Sequence, residues 1–595
     1  MTDDEIVGKV YDAQLMRRLL GYLRPHRKSV IVALTTIVGH SLMQLTQPYL
    51  TKLAIDRHIL TGDLVGLEQI IFLFLIILIV SFVFEYVETY TMQMMGQRIM
   101  FDLRMEIYGC LQSLDVSFYD RNPVGRLMTR VTTDVDALND LFASGVISVV
   151  RDVVTLVGIM AVLLWMDWRL ALVAFSVLPF IGLVTNWFRK NARQSYRKVR
   201  GRIARINAFL QENITGMSTV QLFRREQKTF SKFDEINRQH CDANIESIFY
   251  YAMFYPTVEL LGALATALII WYGGGWSMQG TLTLGTLVAF LQYSQRFFRP
   301  ISDLSEKFNI LQAAMASSER IFGLLDTPVT ISDPPSSVAK IPTGLGRISF
   351  ENVWFAYRDK NYVLKDVSFS INPGERVGIV GATGAGKTTL INLLLRFYDV
   401  SRGRITIGGI DIRQMSLREL RRRFGLVLQE IYLFSGTIRD NITLGTPEIT
   451  DESVATATAN VHADQFISTL SCGVDSNIAE RGANLSVGEK QLLSFARALA
   501  FSPKVLILDE ATSSVDTNTE VLISDALRAL MANRTTMAIA HRLSTVQDMD
   551  RILVFHKGEL REGGTHQELL ANRGLYHKLY QFQYKDQELK SKVVT

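Results

Sequence analysis

Eight residues, Gly381-Ala382-Thr383-Gly384-Ala385-Gly386-Lys387-Thr388, hold the most legible chemistry in the chain. Glycines at this spacing let backbone N–H groups curl around a polyphosphate with no Cβ in the way. Lys387 can reach β- and γ-phosphates, and the Thr388 hydroxyl can ligand Mg²⁺. A second group is Asp509-Glu510, at the end of the apolar run Val505-Leu506-Ile507-Leu508. There Asp509 can hold Mg²⁺ through water, and Glu510 can polarise the water that attacks a γ-phosphate. Two adjacent acids alone say little. Downstream of a phosphate loop they imply hydrolysis of a nucleoside triphosphate.

These groups need a scaffold. Arg376-Val377-Gly378-Ile379-Val380 reads as a strand entering the loop, and Thr389–Leu395 as a helix leaving it. That helix aims its N-terminus at the same anion. The 505–508 run suits a buried central parallel strand. An alternating pattern opens at Arg347-Ile348-Ser349-Phe350. Before it, Asp326-Thr327-Pro328 and Asp333-Pro334-Pro335-Ser336-Ser337 stop a helix and form a linker. The expected parts are residues 1–325, a linker 326–346, and an α/β ATPase domain 347–595.

The first part reads as membrane. The chain has 595 residues, 48% of them hydrophobic and 20% charged, and a mean hydropathy of +0.16. Six apolar stretches precede residue 300: Ser29–Leu50, Leu67–Phe84, Ala143–Met166, Leu170–Phe188, Phe249–Tyr272 and Thr281–Phe298. Most approach the ~20 residues that cross ~30 Å of hydrocarbon as helix. The last is the least apolar. The connection after span two carries Arg98, Arg104, Arg121, Arg126 and Arg130; that after span four is richer still, from Arg189 to Lys228. The opposite connections hold only Arg57 and Arg169. The positive-inside bias therefore predicts a multi-pass protein with both termini and the ATPase domain in the cytoplasm. Both long connections read as helices with broken tips, at Phe118–Gly125 and Ile214-Thr215-Gly216, that either touch a cytoplasmic domain or are solvated.

Ionisable residues in or near the spans are Glu85, Glu88, Arg151, Asp152, Glu259, Arg296 and Arg299. Each is costly against lipid, so each faces a cavity or pairs within the bundle. Glu259, Glu85 and Arg296 are the candidate substrate contacts; structural ion pairing, or a position at the cytoplasmic interface, is the alternative. Cys110, Cys241 and Cys472 match no metal spacing. The polar N-terminus lacks a signal-peptide pattern. A net charge of +5 over this length does not argue for nucleic acid.

Further motifs make the resemblance specific. Leu485-Ser486-Val487-Gly488-Glu489-Lys490-Gln491 is similar to the signature loop of the ATP-binding cassette (ABC) family. Gln429 matches its Q-loop, Ser514-Val515-Asp516 its D-loop, His541 its switch histidine, and Tyr357 its adenine-stacking position. Glu480-Arg481-Gly482 matches a short loop that exporters place before the signature, and Phe118–Arg130 and Ile214–Glu226 are similar to the family's coupling regions. The whole chain resembles an exporter half-transporter: an α-helical six-span transmembrane domain followed by an α/β P-loop ATPase domain. The resemblance implies ATP and Mg²⁺ as cofactors. It assigns catalysis to Glu510, His541 and Gln429, and metal contacts to Thr388, Gln429 and Asp509. Nucleotide binding would fall to Tyr357, Gly381, Thr383, Gly384, Ala385, Gly386, Lys387, Thr388, Thr389 and Asp509. Ser486, Gly488 and Asp516 would serve the ATP shared with a second half-transporter.

Two residues depart from that pattern. Val487 stands where the signature carries Gly, and Glu489 where it carries Gln. Both affect the ATP held by the partner's loop, while Lys387, Gln429, Asp509, Glu510 and His541 are intact. The combination favours a heterodimer over a homodimer. The expected activity is ATP-driven export, across the cytoplasmic membrane, of an amphipathic small molecule, drug-like or lipid. A peptide exporter and an ATP-gated channel are the alternatives; a P-loop kinase would leave the signature and His541 without a role.

Overall fold

The computed structural model describes residues 12–334, 346–358, 360–509, 517–539 and 546–583. They form two compact units, one running to Gln112 and then over Val124–Thr327, the other made of Ser113–Pro123 and the chain from Pro328.

The first unit is helical. Its elements are α1 (Ala13–Gly21), α2 (Arg27–Leu53), α3 (Leu64–Ser113), then, beyond a short α4 (Val116–Arg121) that belongs to the second unit, α5 (Val124–Val131), α6 (Thr133–Asp140), α7 (Val146–Met166), α8 (Trp168–Phe175), α9 (Leu178–Thr215), α10 (Met217–Leu222), α11 (Glu226–Met278) and α12 (Leu284–Leu325). Among the described residues, five stretches are long and apolar enough to cross a membrane: Arg27–Ile59, Leu64–Ser113, Val124–Met166, Trp168–Thr215 and Glu226–Met278. α12 covers the sixth expected span with 42 residues; Gln292, Gln295 and Arg296 lower its hydropathy. α3 has 50 residues and α11 has 53. At 1.5 Å per residue they run about 75–80 Å, more than twice the hydrocarbon thickness. Phe72, Ile79 and Phe82 on α3 are each over 60% exposed, as lipid-facing side chains should be. Inside, Ile159, Leu163, Leu170, Ile269, Phe290 and Tyr293 form one packed cluster.

The second unit is α/β. Its strands are β1 (Ile348–Phe355), β2 (Leu364–Ile371), β3 (Arg376–Gly381), β4 (Arg402–Ile407), β5 (Ile410–Asp411), β6 (Phe424–Val427), β7 (Gly436–Thr437), β8 (Asn477–Ile478), β9 (Val505–Asp509), β10 (Thr535–Ile539), β11 (Arg551–His556) and β12 (Glu559–Gly564). The main sheet has the order β12-β11-β3-β10-β9-β6, and a second, antiparallel sheet the order β2-β1-β4-β5. β3, β10, β9, β6 and β11 run parallel; β12 returns antiparallel. Every residue of β9 and β10 is buried, which explains their unbroken apolar character. β1 alternates instead, because one face meets the core.

Candidate nucleotide site and membrane-embedded charges

Strand register builds the site. Ile379 of β3 pairs with Ile539 of β10, which leads Asp509 of β9 to lie beside Ile539. Val427 of β6 pairs with Leu508, so Gln429 follows two residues beyond the end of β6, at the same end of the sheet as Asp509. The carboxyl ends of three parallel strands thus converge where the phosphate loop leaves β3, the place where open α/β sheets hold ligands. Glu510, Asp516 and His541 lie outside the described residues. The strands that lead toward Glu510 and His541 end at Asp509 and Ile539.

The loop itself needs its glycines. Gly386 caps the Lys387–Leu394 helix at φ 94°, a left-handed conformation, and a Cβ there would stand 2.7 Å from Leu364 Cδ2. At Gly381 a Cβ would stand 2.4 Å from the Phe555 carbonyl oxygen. Lys387 is 7% exposed. Its ammonium donates to the carbonyls of Gly381 at 2.7 Å and Ala382 at 3.1 Å, which holds it in the loop's concavity. Ala385 and Thr389 are buried; Thr383, Gly384 and Thr388 face outward. Asp509 is 6% exposed, while Gln429 is exposed. The oxygens of Thr388, Gln429 and Asp509 suit Mg²⁺, a hard cation that prefers oxygen ligands.

Tyr357 stands beside the loop. Its hydroxyl lies 3.1 Å from Thr389 Oγ1, and its ring meets Phe355 and Tyr398 edge-on at 4.8 and 5.0 Å. Tyr398 did not stand out in the sequence: no period or motif separates it from its neighbours in Arg396-Phe397-Tyr398-Asp399. Asn441 and Arg497 were missed for the same reason. The Asn441 side chain accepts from the Phe434 N–H and donates to the Phe434 carbonyl, both at 2.8 Å, and Arg497 donates to the carbonyls of Asn441 and Tyr432. These bonds shape the chain just after Gln429. Burial pulls the Arg497 guanidinium below its ordinary range.

The signature stretch forms the start of a second helix, Val487–Ala500. Ser486 is its N-cap: Ser486 Oγ accepts from the Glu489 N–H, and Glu489 Oε2 accepts from the Ser486 N–H at 2.7 Å. This reciprocal pair places a full negative charge on the N-terminus of the helix. Gly488 is buried and Ser486 exposed, and Val487 is 55% exposed at the first helical position.

In the membrane-type unit Glu88, Arg151 and Asp152 are held in ion pairs, while the side chain of Arg299 lies outside the described residues. Arg151 Nη1 donates to Glu88 Oε1 at 3.1 Å, and Lys307 pairs with Asp152. Arg296 donates to the Gln44 carbonyl and to Gln47 Oε1, both at 2.7 Å. Two of its N–H groups are thus bonded to α2. Glu85 and Glu259 are exposed on the single chain. Glu88 is 1% exposed and bonds through Oε1; among the described residues its Oε2 has no hydrogen-bond partner. Arg151→Met strands that carboxylate and lowers stability by about 3–5 kcal/mol, whereas adding Glu88→Leu restores most of the loss. Unfolding midpoints of the purified protein in nanodiscs check this; an unchanged midpoint for Arg151→Met removes the pair from the stability account.

Known proteins agree with this architecture. The family model for the ABC transporter transmembrane region matches residues 30–301, and the one for the ABC transporter matches 364–513. A probable multidrug resistance ABC transporter ATP-binding/permease protein of Bacillus subtilis (strain 168) is 38% identical, over 88% of this chain and 77% of its own length. An ATP-dependent lipid A-core flippase of Syntrophus aciditrophicus (strain SB) is 36% identical, over 97% of this chain and 96% of its own. A solved bacterial Atm1-family ABC exporter with ATP bound superposes with a TM-score of 0.77 at 29% identity, covering 94% of this chain and 98% of that one. The chain belongs to the ABC transporter family, as a multi-pass half-transporter of the exporter type that works as one half of a dimer in a lipid bilayer and couples ATP hydrolysis to export.

Proposed function

We propose that this chain is the hydrolysis-competent half of a heterodimeric exporter of amphipathic small molecules, drug-like or lipid, in the cytoplasmic membrane. The signature helix carries this reading. Glu489 already satisfies the Ser486 N–H and sets a carboxylate at the helix N-terminus, where the γ-phosphate of the partner's ATP would dock. Val487 projects outward at the same point. This signature therefore suits the weaker of two composite sites. The chain's own loop, with Lys387, Gln429, Asp509, Glu510 and His541, serves the stronger one, completed by a partner's signature.

At that stronger site Lys387 and the loop N–H groups hold the phosphates, and Tyr357 stacks on the adenine. Thr388, Gln429 and Asp509 would hold Mg²⁺, which would supply positive charge against the phosphates. Glu510 orients and deprotonates the attacking water, and His541 contacts the γ-phosphate. Closure over ATP must be favoured over the open state for the membrane half to alternate. The Lys/Arg bias of the long connections supports a cytoplasmic cassette and cytoplasmic termini. The names of the relatives, a multidrug transporter and a lipid A-core flippase, support an amphipathic cargo. Domain limits of 1–325, 326–346 and 347–595 go with this reading.

Mass measurement of the complex purified through a tag on this chain decides the pairing. The expected mass is that of this chain plus one different half-transporter; a fully active complex of this chain alone overturns the heterodimer. In the heterodimer, Val487→Gly with Glu489→Gln tightens ATP at the weaker site by about two- to fivefold, the size of a helix-terminus charge effect. Equilibrium binding of a slowly hydrolysed ATP analogue reads it.

A further inference from the structure

Span α12 carries a cation for which the described residues supply no carboxylate. Arg296 lies twelve residues past Leu284, where α12 begins. At 1.5 Å per residue that is about 18 Å along the axis, deep within ~30 Å of hydrocarbon. Among the described residues Arg296 bonds only to the Gln44 carbonyl and to Gln47 Oε1, both neutral acceptors. A guanidinium has five N–H donors and keeps its charge in proteins, so the charge and the other N–H groups of Arg296 remain. Arg151 and Lys307 differ: each sits on a carboxylate, of Glu88 and Asp152.

Pro48 explains why this guanidinium is fixed where it is. Proline has no N–H, so within α2 the Gln44 carbonyl lacks the bond it would accept from residue 48. Arg296 Nη1 supplies that bond at 2.7 Å, and Gln47, beside Pro48, takes Nη2 at the same distance. One turn earlier on α12 the Tyr293 hydroxyl donates to the next carbonyl, that of Leu45. The planar fork is thus oriented at two points without having its charge cancelled. Tyr293 and Phe297 are buried in the packed cluster, whereas Gln295 is exposed and Gln292 and Arg296 are half-buried. Gln292 stands one turn before Arg296 on the same face. Two amides therefore flank an oriented cation. Such a group at this depth suits a cavity rather than lipid.

We propose that Arg296, flanked by Gln292 and Gln295, recognises an anionic head group, so that the exported amphiphile carries a carboxylate or a phosphate. The fork geometry of a guanidinium matches the paired oxygens of either group. Glu85 and Glu259 are exposed carboxylates with no hydrogen-bond partner among the described residues, so no such scaffold orients them toward a cationic head. The assignment rests on the amphiphile export proposed above and narrows it to one chemical class.

ATPase stimulation of the assembled transporter tests it, in nanodiscs of zwitterionic phosphatidylcholine, where no bilayer lipid carries a net negative charge. The probes are decanoate, decyl phosphate, decanol and decyltrimethylammonium, which share one tail. The two anions half-stimulate at a membrane concentration about ten- to a hundredfold below that of decanol, the scale of a hydrogen bond from a charged donor. Arg296→Gln closes this gap to within about threefold and leaves the decanol value unchanged, whereas Arg296→Lys, which keeps the charge, retains part of it. Pro48→Ala returns an N–H to the Gln44 carbonyl and loosens the fork, so it narrows the gap with Arg296 in place. That variant decides where Arg296→Gln does not assemble. A gap that survives Arg296→Gln, or that survives Pro48→Ala where Arg296→Gln is lost, marks a purely structural clamp and overturns the anion site. A preference for decyltrimethylammonium overturns it too, and in all these cases amphiphile export stands. If phosphatidylglycerol mixed into the discs abolishes the gap, a resident lipid fills the site, which overturns its assignment to cargo. Failure of all four probes to stimulate removes the amphiphile reading itself, and this site with it.

Discussion

Glu510→Gln lowers ATP turnover of the assembled transporter by about a hundred- to ten-thousandfold, the range for removing a positioned general base, and leaves ATP binding intact. Gln keeps the shape and the hydrogen-bonding reach of Glu but cannot take a proton from water. The preceding residue, Asp509, closes β9 in full burial, and its neighbours in the sheet are Ile539 on one side and the end of β6 on the other. An acid next in sequence follows directly from the strand end that faces the loop. Phosphate release under single-turnover conditions, paired with equilibrium binding of ATP, separates chemistry from affinity. Turnover within tenfold of the parent would mean that another group is the principal base. In the heterodimer the loss is nearly complete, because the weaker site contributes little hydrolysis.

The second large effect belongs to Lys387. Lys387→Ala weakens ATP binding by about ten- to a hundredfold, as expected for losing a hydrogen bond from a charged donor. The ammonium is buried in the loop and touches two of the loop's own carbonyls, so it needs little rearrangement to meet a phosphate. The helix behind it does not depend on that charge: Leu390, Ile391, Leu393 and Leu394 hold it in the core. The variant should therefore fold, with loss of affinity as the main result. Calorimetric titration with a non-hydrolysable ATP analogue reads it, and parental affinity would take Lys387 out of the site.

Much of this was written in the sequence because it depends on local order. A glycine pattern, a lysine and a threonine within eight residues specify a phosphate loop wherever a strand precedes and a helix follows. Uniform apolar runs in β9 and β10 reflect burial on both faces. Long apolar stretches mark spans because the bilayer sets their length. The weakness of the sixth was legible too, in Gln292, Gln295 and Arg296. The departures at Val487 and Glu489 were visible as letters, and the structure added what Glu489 does: it closes a capping box.

Residue order thus specified the chemical groups and the elements that carry them. Which groups meet depends on packing across the whole fold. Arg296, read as a candidate substrate contact, is bonded to Gln44 and Gln47, and Arg151 to Glu88, across distances in sequence that no period encodes. Asp120 meets Tyr398 278 residues away. The physical reason is one of range. Periodicity and turn chemistry act over a few residues, so they show in the order of letters. A buried hydrogen bond between distant elements depends on how whole helices and sheets pack, and only the folded chain settles that.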